Sequence, residues 1–370
     1  MRSQIILKIV FLFFLAQGCT DLPQPARPDA PASGIMLVAG TDFTTGFLSA
    51  FEPATGRVYR DIVPLHSDVQ LAYQGAPFVL QRLGADSLRR LDQNAGYASV
   101  FDQSLGGRNN PQGIAFLPGN QVAVSFYNRN LIDIRSALTG MQTGSIDLSA
   151  WADADGFAEI AHLHYQAGYL YAAVQRLNRQ ATDAVWPPLG SSYLLRIDVS
   201  NYSITAYPLT FANPVSRLHY NATRGSLVLA APGRFAANYS LDGACLEFNL
   251  TTFSFVTPPI TEAQAQYEIA DCDIKADGSG VFVGYDAQLN SVFGSFDVMT
   301  HTVTRVAAQL SSATGGYFAG FQLHSSGKVY LADRNLYQPG LRIFSGTLLT
   351  EETAQAVYTG LPPFSLVEVP

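Results

Sequence analysis

Residues 111 to 134 read PQGIAFLPGNQVAVSFYNRNLIDI, and this stretch decides the fold. It divides into a short apolar segment GIAFL, a turn at 118–120, a second apolar segment VAVSF, a polar loop YNRN and a third segment LIDI. Short apolar or alternating segments joined by turn-forming residues are typical of consecutive antiparallel strands. A fourth strand is predicted in MQTGSIDL after the next turn. The stretch therefore belongs to a four-stranded unit.

The same strand order recurs along the chain. The second strand is found at 36–40, 78–82, 122–126, 170–174, 227–231, 281–285 and 329–333. Third strands give an independent count, because each ends on an apolar landmark before a polar turn, at Phe51, Leu91, Ile134, Ile197, Phe248, Phe296 and Phe344. The landmarks are 40, 43, 63, 51, 48 and 48 residues apart, and a propeller blade needs about 40 to 50 residues. The sequence predicts an all-β fold, a seven-bladed β-propeller of four-stranded antiparallel blades, over a pair of unrelated β-sandwiches.

The ring is expected to close without a covalent bond. Inner strands are found for six units, at 69–73, 113–117, 160–164, 216–220, 269–274 and 318–323. The first unit lacks one, whereas the chain ends in PPFSLVEV, which is similar to the PQGIAFL that opens the third unit. We expect Ser365 to Val369 to supply the inner strand of blade one, because this pairing removes two open sheet edges that invite aggregation.

The N-terminal segment predicts export. Residues 1–18 carry Arg2 and Lys8 and then an apolar run, which is typical of a secretory signal peptide. The run ends in LAQGC, which resembles the lipobox of bacterial lipoproteins and implies acylation of Cys19; the alternative is a plain cleaved signal. Residues 19–34 form a Pro- and Ala-rich tether, so the propeller is expected at 35–370. Thr20 stands where Asp would retain a lipoprotein, which implies the bacterial outer membrane.

Composition restricts the partners. Removing Arg2 and Lys8 from 22 basic residues leaves 20 against 29 acidic ones, a net charge of −9, and an acidic protein lacks the basic footprint of a nucleic-acid binder. The other two cysteines, Cys245 and Cys272, fall on non-equivalent strands of neighbouring units. Export would allow a disulfide between them, while two small buried side chains are the alternative. We expect a monomer.

The units resemble YVTN-type propellers, the surface-layer and YncE-like group. Pro111 to Ile134 carries the best copy of their repeat, followed by KADG with VFVGYD (275–286) and SSGK with VYLAD (325–333). A further stretch, 153–179, looks like a segment of outer-membrane or periplasmic lipoproteins of this group. The resemblance covers 35–370 and implies the architecture; it leaves function open, because such propellers include binding proteins, lactonases and quinone-dependent dehydrogenases.

The loops between second and third strands are expected to share one face with the connections between blades, and we call it the loop face. These loops contain six arginines: Arg82, Arg129, Arg176, Arg179, Arg234 and Arg334. Aromatic residues lie nearby: Tyr127, Trp186, Phe235, Tyr239, Tyr285 and Tyr337. Because guanidinium groups bind carboxylates and phosphates, the face is predicted to bind a small anionic ligand or an envelope protein. The alternative is internal ion pairing with acidic residues of the same loops: Asp86, Asp183, Asp242, Asp286 and Asp333.

Metal and catalytic sites have weaker support. Asp153, Asp155 and Glu159 have a spacing reminiscent of calcium loops, so calcium is a possible cofactor and no other cofactor is predicted. Matching positions of three inner strands carry histidines, at His164, His219 and His324, which the repeat itself explains. No nucleophile elbow, haem site, Walker loop or zinc-protease motif is present, and no catalytic residue is assigned. We therefore expect an exported, lipid-anchored binding module, with a lactonase-like hydrolase or a structural scaffold as alternatives.

Overall fold

The computed structural model describes residues 30–182, 186–235, 239–346 and 348–370. Seven antiparallel sheets form a seven-bladed β-propeller, which confirms the predicted fold class. The predicted signal peptide, Cys19 and most of the predicted tether lie outside the described residues. None of the helices in the described part of the chain has the length and apolar character needed to cross a membrane.

In blades 2 to 7, the chain forms first an inner strand, beside the central channel, and then a second strand. In chain order from blade 2 to blade 7, the inner strands are β4 (Val69–Tyr73), β8 (Pro111–Leu117), β12 (Ile160–Gln166), β16 (His219–Asn221), β21 (Glu268–Ile274) and β25 (Phe318–Leu323). From blade 1 to blade 7, the second strands are β1 (Ile35–Thr41), β5 (Pro77–Gln81), β9 (Gln121–Phe126), β13 (Tyr169–Val174), β17 (Ser226–Ala231), β22 (Ser279–Tyr285) and β26 (Val329–Asp333). Every predicted second strand is confirmed, with bounds that differ from the predicted ones by at most two residues.

The third and outer strands complete the blades. From blade 1 to blade 7, the third strands are β2 (Gly46–Glu52), β6 (Ser87–Asp92), β10 (Leu131–Ser136), β14 (Tyr193–Asp198), β18 (Ala244–Asn249), β23 (Ser291–Asp297) and β27 (Gly340–Phe344). From blade 1 to blade 6, the outer strands are β3 (Arg57–Leu65), β7 (Ala98–Ser104), β11 (Gln142–Asp147), β15 (Ile204–Pro208), β19 (Ser254–Phe255) and β24 (Thr302–Leu310). Blade 5 has an additional short strand, β20 (Ile260–Thr261), and the four-residue helix α1 (Glu262–Ala265) follows it.

The core lies between neighbouring blades. All residues of β1, β5, β17 and β26 are buried, because a second strand is covered on both faces by the blades beside it. Phe78 and Leu80 of blade 2, for example, pack in one cluster with Ile114 and Val122 of blade 3. This two-sided burial explains why second strands are near-continuous apolar runs in the sequence.

The C-terminal strand closes the ring as predicted. β28 (Pro363–Val369) pairs antiparallel with β1 in blade 1, with Val38 opposite Leu366 and Met36 opposite Glu368. Arg334 reinforces the junction from blade 7. Its guanidinium donates hydrogen bonds to the carbonyl oxygens of Thr41 (3.0 Å), Pro362 (2.9 Å) and Pro363 (3.3 Å). A single buried arginine therefore binds carbonyl groups of both the first and the last strand of the propeller.

Two strands depart from the predicted pattern. The inner strand of blade 5, predicted at 216–220, is reduced to β16, because the Val215 amide donates to the Ala230 carbonyl and the Ala230 amide donates to Ser216 Oγ. These bonds replace regular strand pairing just before Arg217. In blade 7, the outer position is occupied by two isolated bridges, Leu341 with Val357 and Phe344 with Glu351.

A disulfide joins blades 5 and 6. Cys245 lies on β18 and Cys272 on β21, with their Cα atoms 6.1 Å apart. Both cysteines are fully buried in a cluster shared by the two blades. The sequence alone did not decide whether this disulfide forms, because the two cysteines occupy different positions of their blades and meet only when the blades pack.

Removing the disulfide should destabilise the propeller. The bond closes a loop of 27 residues, and loop-closure entropy assigns such a crosslink about 3 to 4 kcal/mol. Denaturant titration of the oxidised protein and of Cys245→Ala should differ by about that amount in the free energy of unfolding. The control is the unsubstituted protein in reducing buffer, where the disulfide is reduced. Equal unfolding midpoints in oxidising and reducing buffer would contradict the assignment.

Replacing Arg334 should weaken ring closure. Arg334→Met keeps most of the apolar stem but withdraws donors from three carbonyl groups near the ends of β1 and β28. The Pro362 carbonyl keeps the Thr41 amide as a donor, and each buried group left unpaired costs about 1 to 3 kcal/mol. We expect a loss of about 2 to 4 kcal/mol in denaturant titration. Arg305→Met, on exposed β24, is the matched control and should change stability by less than about 0.5 kcal/mol. Equal effects of the two substitutions would argue against a role for Arg334 in closure.

Candidate binding sites on the loop face and in the channel

The structure brings the predicted arginines to the loop face, where most of them bind other parts of the protein. Arg82 forms an ion pair with Asp68 (2.6 Å) and donates to Gln112 Oε1 (2.8 Å). Arg129 pairs with Asp133 at 3.0 Å. These carboxylates lie on strands or on connections between blades. Internal ion pairing therefore occurs, with different carboxylates from those that the sequence suggested.

Arg179 joins the loops of blades 3 and 4. It forms an ion pair with the buried carboxylate of Glu159 (2.6 Å), and it also donates to Asn128 Oδ1 (2.8 Å) and to the Tyr127 carbonyl. Its guanidinium lies 5.3 Å from the ring centre of Trp186. Arg179 is thus a structural crosslink of the loop face.

Two predicted arginines remain more available. Arg234 is exposed, with its backbone amide bound to Asp242 Oδ1. Arg176 donates to the Ser191 carbonyl at 3.2 Å and lies over the Tyr193 ring. Neither forms an ion pair with a described carboxylate. These are the guanidinium groups from which the loop face could bind an external partner.

The predicted aromatic residues divide into partly buried and exposed groups. Burial raises the pKa of both Tyr127 and Tyr285 to about 12, and Tyr285 packs on Phe235. Trp186 and Tyr337 are 43% and 80% exposed. Trp186 and Tyr337 are therefore the predicted aromatic residues best placed for contact with a partner. The predicted partner Asp183 lies outside the described residues.

Exposed apolar side chains at the loop tips, apart from Tyr337, were not predicted. Four adjacent blades, 6, 7, 1 and 2, present a set that we call the apolar crown: Phe43, Leu83, Leu289, Leu336 and Tyr337. These side chains are between 41% and 80% exposed. Three of them have left-handed backbone conformations, with φ of 66° at Phe43, 37° at Leu83 and 58° at Leu289. Bulky residues are rare in this region because Cβ is crowded by the backbone.

The segment before blade 1 leaves from the opposite face. β1 begins at Ile35 and ends at Thr41 on the loop face, so its first residue lies at the other end. The Tyr97 hydroxyl donates to the Pro31 carbonyl at 2.7 Å, and Tyr97 is in the turn from third to outer strand of blade 2. That turn also lies opposite the loop face. The apolar crown and the segment 30–34 are consequently on opposite sides of the propeller.

The predicted calcium residues are used internally. The Asp153 carboxylate accepts from the Asp155 amide at 2.9 Å, and Asp155 accepts from the amides of Phe157 and Arg179. Both carboxylate oxygens of Glu159 bind other groups of the protein. Within the described ranges, no three His, Cys, Asp or Glu side chains are grouped as metal ligands. Calcium remains a hypothesis without a supporting geometry.

The central channel contains a charged cluster formed by neighbouring inner strands. His219 of blade 5 lies 2.9 Å from Asp271 and 3.5 Å from Asp273 of blade 6. Burial lowers the pKa of His219, but the two carboxylates overcome this effect and the pKa is raised. The His219 ring also lies parallel to Phe321 of blade 7, with ring centres 5.9 Å apart. The protonated form of His219 is therefore favoured.

Two other channel histidines are neutral near pH 7. Burial, assisted by Arg82 and Arg217, lowers the pKa of His162 to about 4. Burial and the nearby His219 lower the pKa of His164 to about 4. His162 bonds to the Val215 carbonyl at 3.0 Å, whereas the His164 ring stacks on Tyr220. The matching positions of blades 4 and 5, His164 and His219, thus have pKa values shifted in opposite directions.

Arg217 crosses the channel. It projects from blade 5 and donates to the carbonyl oxygens of Phe321 (2.7 Å) and Leu366 (3.5 Å) and to Gln322 Oε1 (3.4 Å). It lines cavities on both sides, of about 180 Å³ towards the loop face and about 440 Å³ towards the other face. Sequence reasoning missed Arg217; its position in SRLHY, two residues before His219, was the available signal.

No known family model matches this chain, and no curated protein sequence is similar to it. Solved structures share its fold. A protein from Lactobacillus plantarum has a TM-score of 0.62 at 12% identity, covering 90% of this chain and 98% of that chain. A Bacteroides fragilis NCTC 9343 protein, provisionally assigned as a 6-phosphogluconolactonase, has a TM-score of 0.62 at 13% identity, covering 90% and 97%. A streptogramin B lyase has a TM-score of 0.53 at 14% identity, covering 83% and 92%. Identities this low support the propeller fold alone.

Proposed function

We propose that this protein is an exported, lipid-anchored β-propeller that binds a protein partner at the bacterial cell envelope. The observation that carries the proposal is the apolar crown. Its five side chains are exposed on four adjacent blades, and aromatic or large apolar residues gathered on one face are typical of protein-binding surfaces. The relation to YVTN-type propellers is part of the same proposal.

Backbone strain supports a role for the crown beyond folding. A left-handed conformation costs a bulky L-residue about 1 to 2 kcal/mol, and glycine or asparagine would avoid most of that cost. Phe43, Leu83 and Leu289 adopt it while their side chains remain exposed. Phe43 has contacts with Phe364 and Arg334 that offset part of its strain, whereas Leu83 and Leu289 are 62% and 41% exposed. Contact with a partner would supply the missing burial, at about 25 cal/mol per Å² of apolar surface.

The orientation fits an anchored protein. Acylation of Cys19 would attach the chain to a bilayer on the side from which residue 30 leaves the propeller, and the loop face would then point away from that bilayer. The proposed partner is therefore another envelope protein. Arg234 lies on blade 5, next to the crown, whereas Arg176 and Trp186 lie on blade 4 of the same face. All three are available for polar or stacking contacts with a partner that covers this face.

The internal disulfide is compatible with this location. Disulfides persist in the periplasm and outside the cell, and they are rare in the cytosol. The Cys245–Cys272 bond thus supports export independently of the signal sequence. A lactonase-like hydrolase and a purely structural scaffold remain hypotheses, because no specific feature of the described residues favours either of them.

The crown should be required for partner binding. A photo-crosslinking residue at Gln338, exposed beside Tyr337, should give a discrete adduct in envelope preparations. The combined changes Leu83→Ser, Leu336→Ser and Tyr337→Ser should reduce that adduct more than about tenfold, because three apolar contacts are lost. The measurement is the adduct yield at equal protein abundance.

A matched variant on the opposite face controls for general effects. Leu138, Met141 and Met299 are exposed on turns of that face, and their replacement by Ser should leave the adduct unchanged. Loss of the adduct in both triple variants would show that surface polarity alone matters. Retention in both would exclude the crown as the docking surface.

Anchoring should depend on Cys19. A Cys19→Ser protein lacks the thiol that carries the proposed acyl chains, which together hold a protein at a bilayer because each buried methylene contributes about 0.8 kcal/mol. We expect the variant to leave the membrane fraction, and radiolabelled palmitate to be incorporated by the unsubstituted protein alone. Labelling of the Ser variant, or its full retention in membranes, would contradict the lipid anchor.

A further inference from the structure

The cavity on the loop-face side of Arg217 has the character of a ligand site. Its volume is about 180 Å³, which corresponds to roughly six water molecules. Its walls come from inner strands and their ends in blades 1, 2, 4, 5, 6 and 7; polar and charged groups include Gln70, Arg82, His162, Arg217, Asp271 and Ser365. Phe364 lies at its loop-face end, between the guanidinium groups of Arg82 and Arg334. A molecule of about five to nine non-hydrogen atoms would fit this space.

One guanidinium of the cavity wall has no ion-pair partner. Arg82 pairs with Asp68 at 2.6 Å, and Asp271 lies 2.9 Å from His219. Arg217 donates to two carbonyls and an amide oxygen, and no described carboxylate lies within ion-pair distance of it.

Two further groups influence the charge around Arg217. Asp273 lies on the far side of the cluster, where its contact is with His219 at 3.5 Å. His162 is neutral because burial, Arg82 and Arg217 lower its pKa. Arg217, which has no carboxylate partner within ion-pair distance, is therefore the group on which the anionic end of a ligand would bind.

Two neutral side chains add selectivity. Gln70 Oε1 is buried and accepts no hydrogen bond from the described residues. Ser365 Oγ accepts from the Leu71 amide at 2.9 Å, which leaves its hydroxyl proton to be donated. A buried acceptor requires a donor from its occupant. An anion that also carries a hydroxyl group would satisfy Gln70, whereas a plain carboxylate would not.

We propose that this cavity binds a small hydroxycarboxylate, with its carboxylate on Arg217 and Ser365 and its hydroxyl group donating to Gln70. The site is separate from the apolar crown. Charge-assisted bonds from a guanidinium to a carboxylate are about twice as strong as neutral ones. A carboxylate without the hydroxyl group would leave Gln70 Oε1 unpaired, and it should therefore bind with lower affinity.

Calorimetric titration of the purified full-length protein tests this site, with glycolate, L-malate, acetate and inorganic phosphate as probes. We expect at least one hydroxycarboxylate to bind with a Kd of about 1 mM or tighter, and acetate to bind about tenfold more weakly than glycolate. Arg217→Met should weaken binding about tenfold or more, whereas Arg305→Met should leave it unchanged. Gln70→Leu should remove the preference for glycolate over acetate.

A measurement on the unsubstituted protein keeps the test independent of folding defects in the Arg217 variant. Hydrogen exchange with and without the hydroxycarboxylate should show protection in 215–221 and 363–369, and no change at the crown. Absence of binding by every probe, binding that persists in folded Arg217→Met, or protection confined to the loop tips would each overturn the proposal. Equal affinity for glycolate and acetate would overturn the assignment to hydroxycarboxylates. The triple crown variant should bind as the parent protein does, which distinguishes this site from the docking surface.

Discussion

The pairing of β28 with β1 is the interaction on which the rest of the structure depends. A propeller without it would present the inner edge of β1 to solvent and leave blade 1 without an inner strand, and open edges of this kind promote aggregation. The antiparallel register from Ile35 to Gly40 joins segments more than 300 residues apart. Arg334 adds three hydrogen bonds to the same junction. Closure also completes the channel wall, because Ser365 and Leu366 line the cavity beside Arg217.

The repeat made most of the architecture predictable from the sequence. Second strands were located to within two residues because burial on both faces forces an unbroken apolar run. The missing inner strand of the first unit indicated β28. The inner strand of blade 5 was predicted too long, since Ser216 Oγ takes the bond that regular pairing would use. Local sequence patterns indicate which residues are buried and where turns form. They do not indicate that a side chain, such as that of Ser216, accepts a hydrogen bond in place of a backbone carbonyl group.

Pairings between blades were harder to predict. The carboxylate partners of His219 and His324 come from the next sheet, as Asp271 and Glu368, so that no sequence neighbour identifies them. The same reason applies to the disulfide, and to Arg179, which binds the loop of the preceding blade. The exposed crown could have been noticed as apolar residues in turns, but exposure and backbone conformation depend on the folded loops. At these positions, the sequence therefore predicts the function less well than the fold.

The central claim, a single ring closed by its own C-terminal strand, is tested most directly by native-state hydrogen exchange of the unsubstituted protein. Closure predicts that amides of β28 and β1 exchange as slowly as those of β13 and β17, and that β28 and β1 lose protection together as denaturant is added. If the C-terminal segment were only loosely attached, β28 would exchange faster than β13 and β17. Rapid exchange of β28 at rates typical of the exposed loops, with β13 and β17 still protected, would contradict the closed ring.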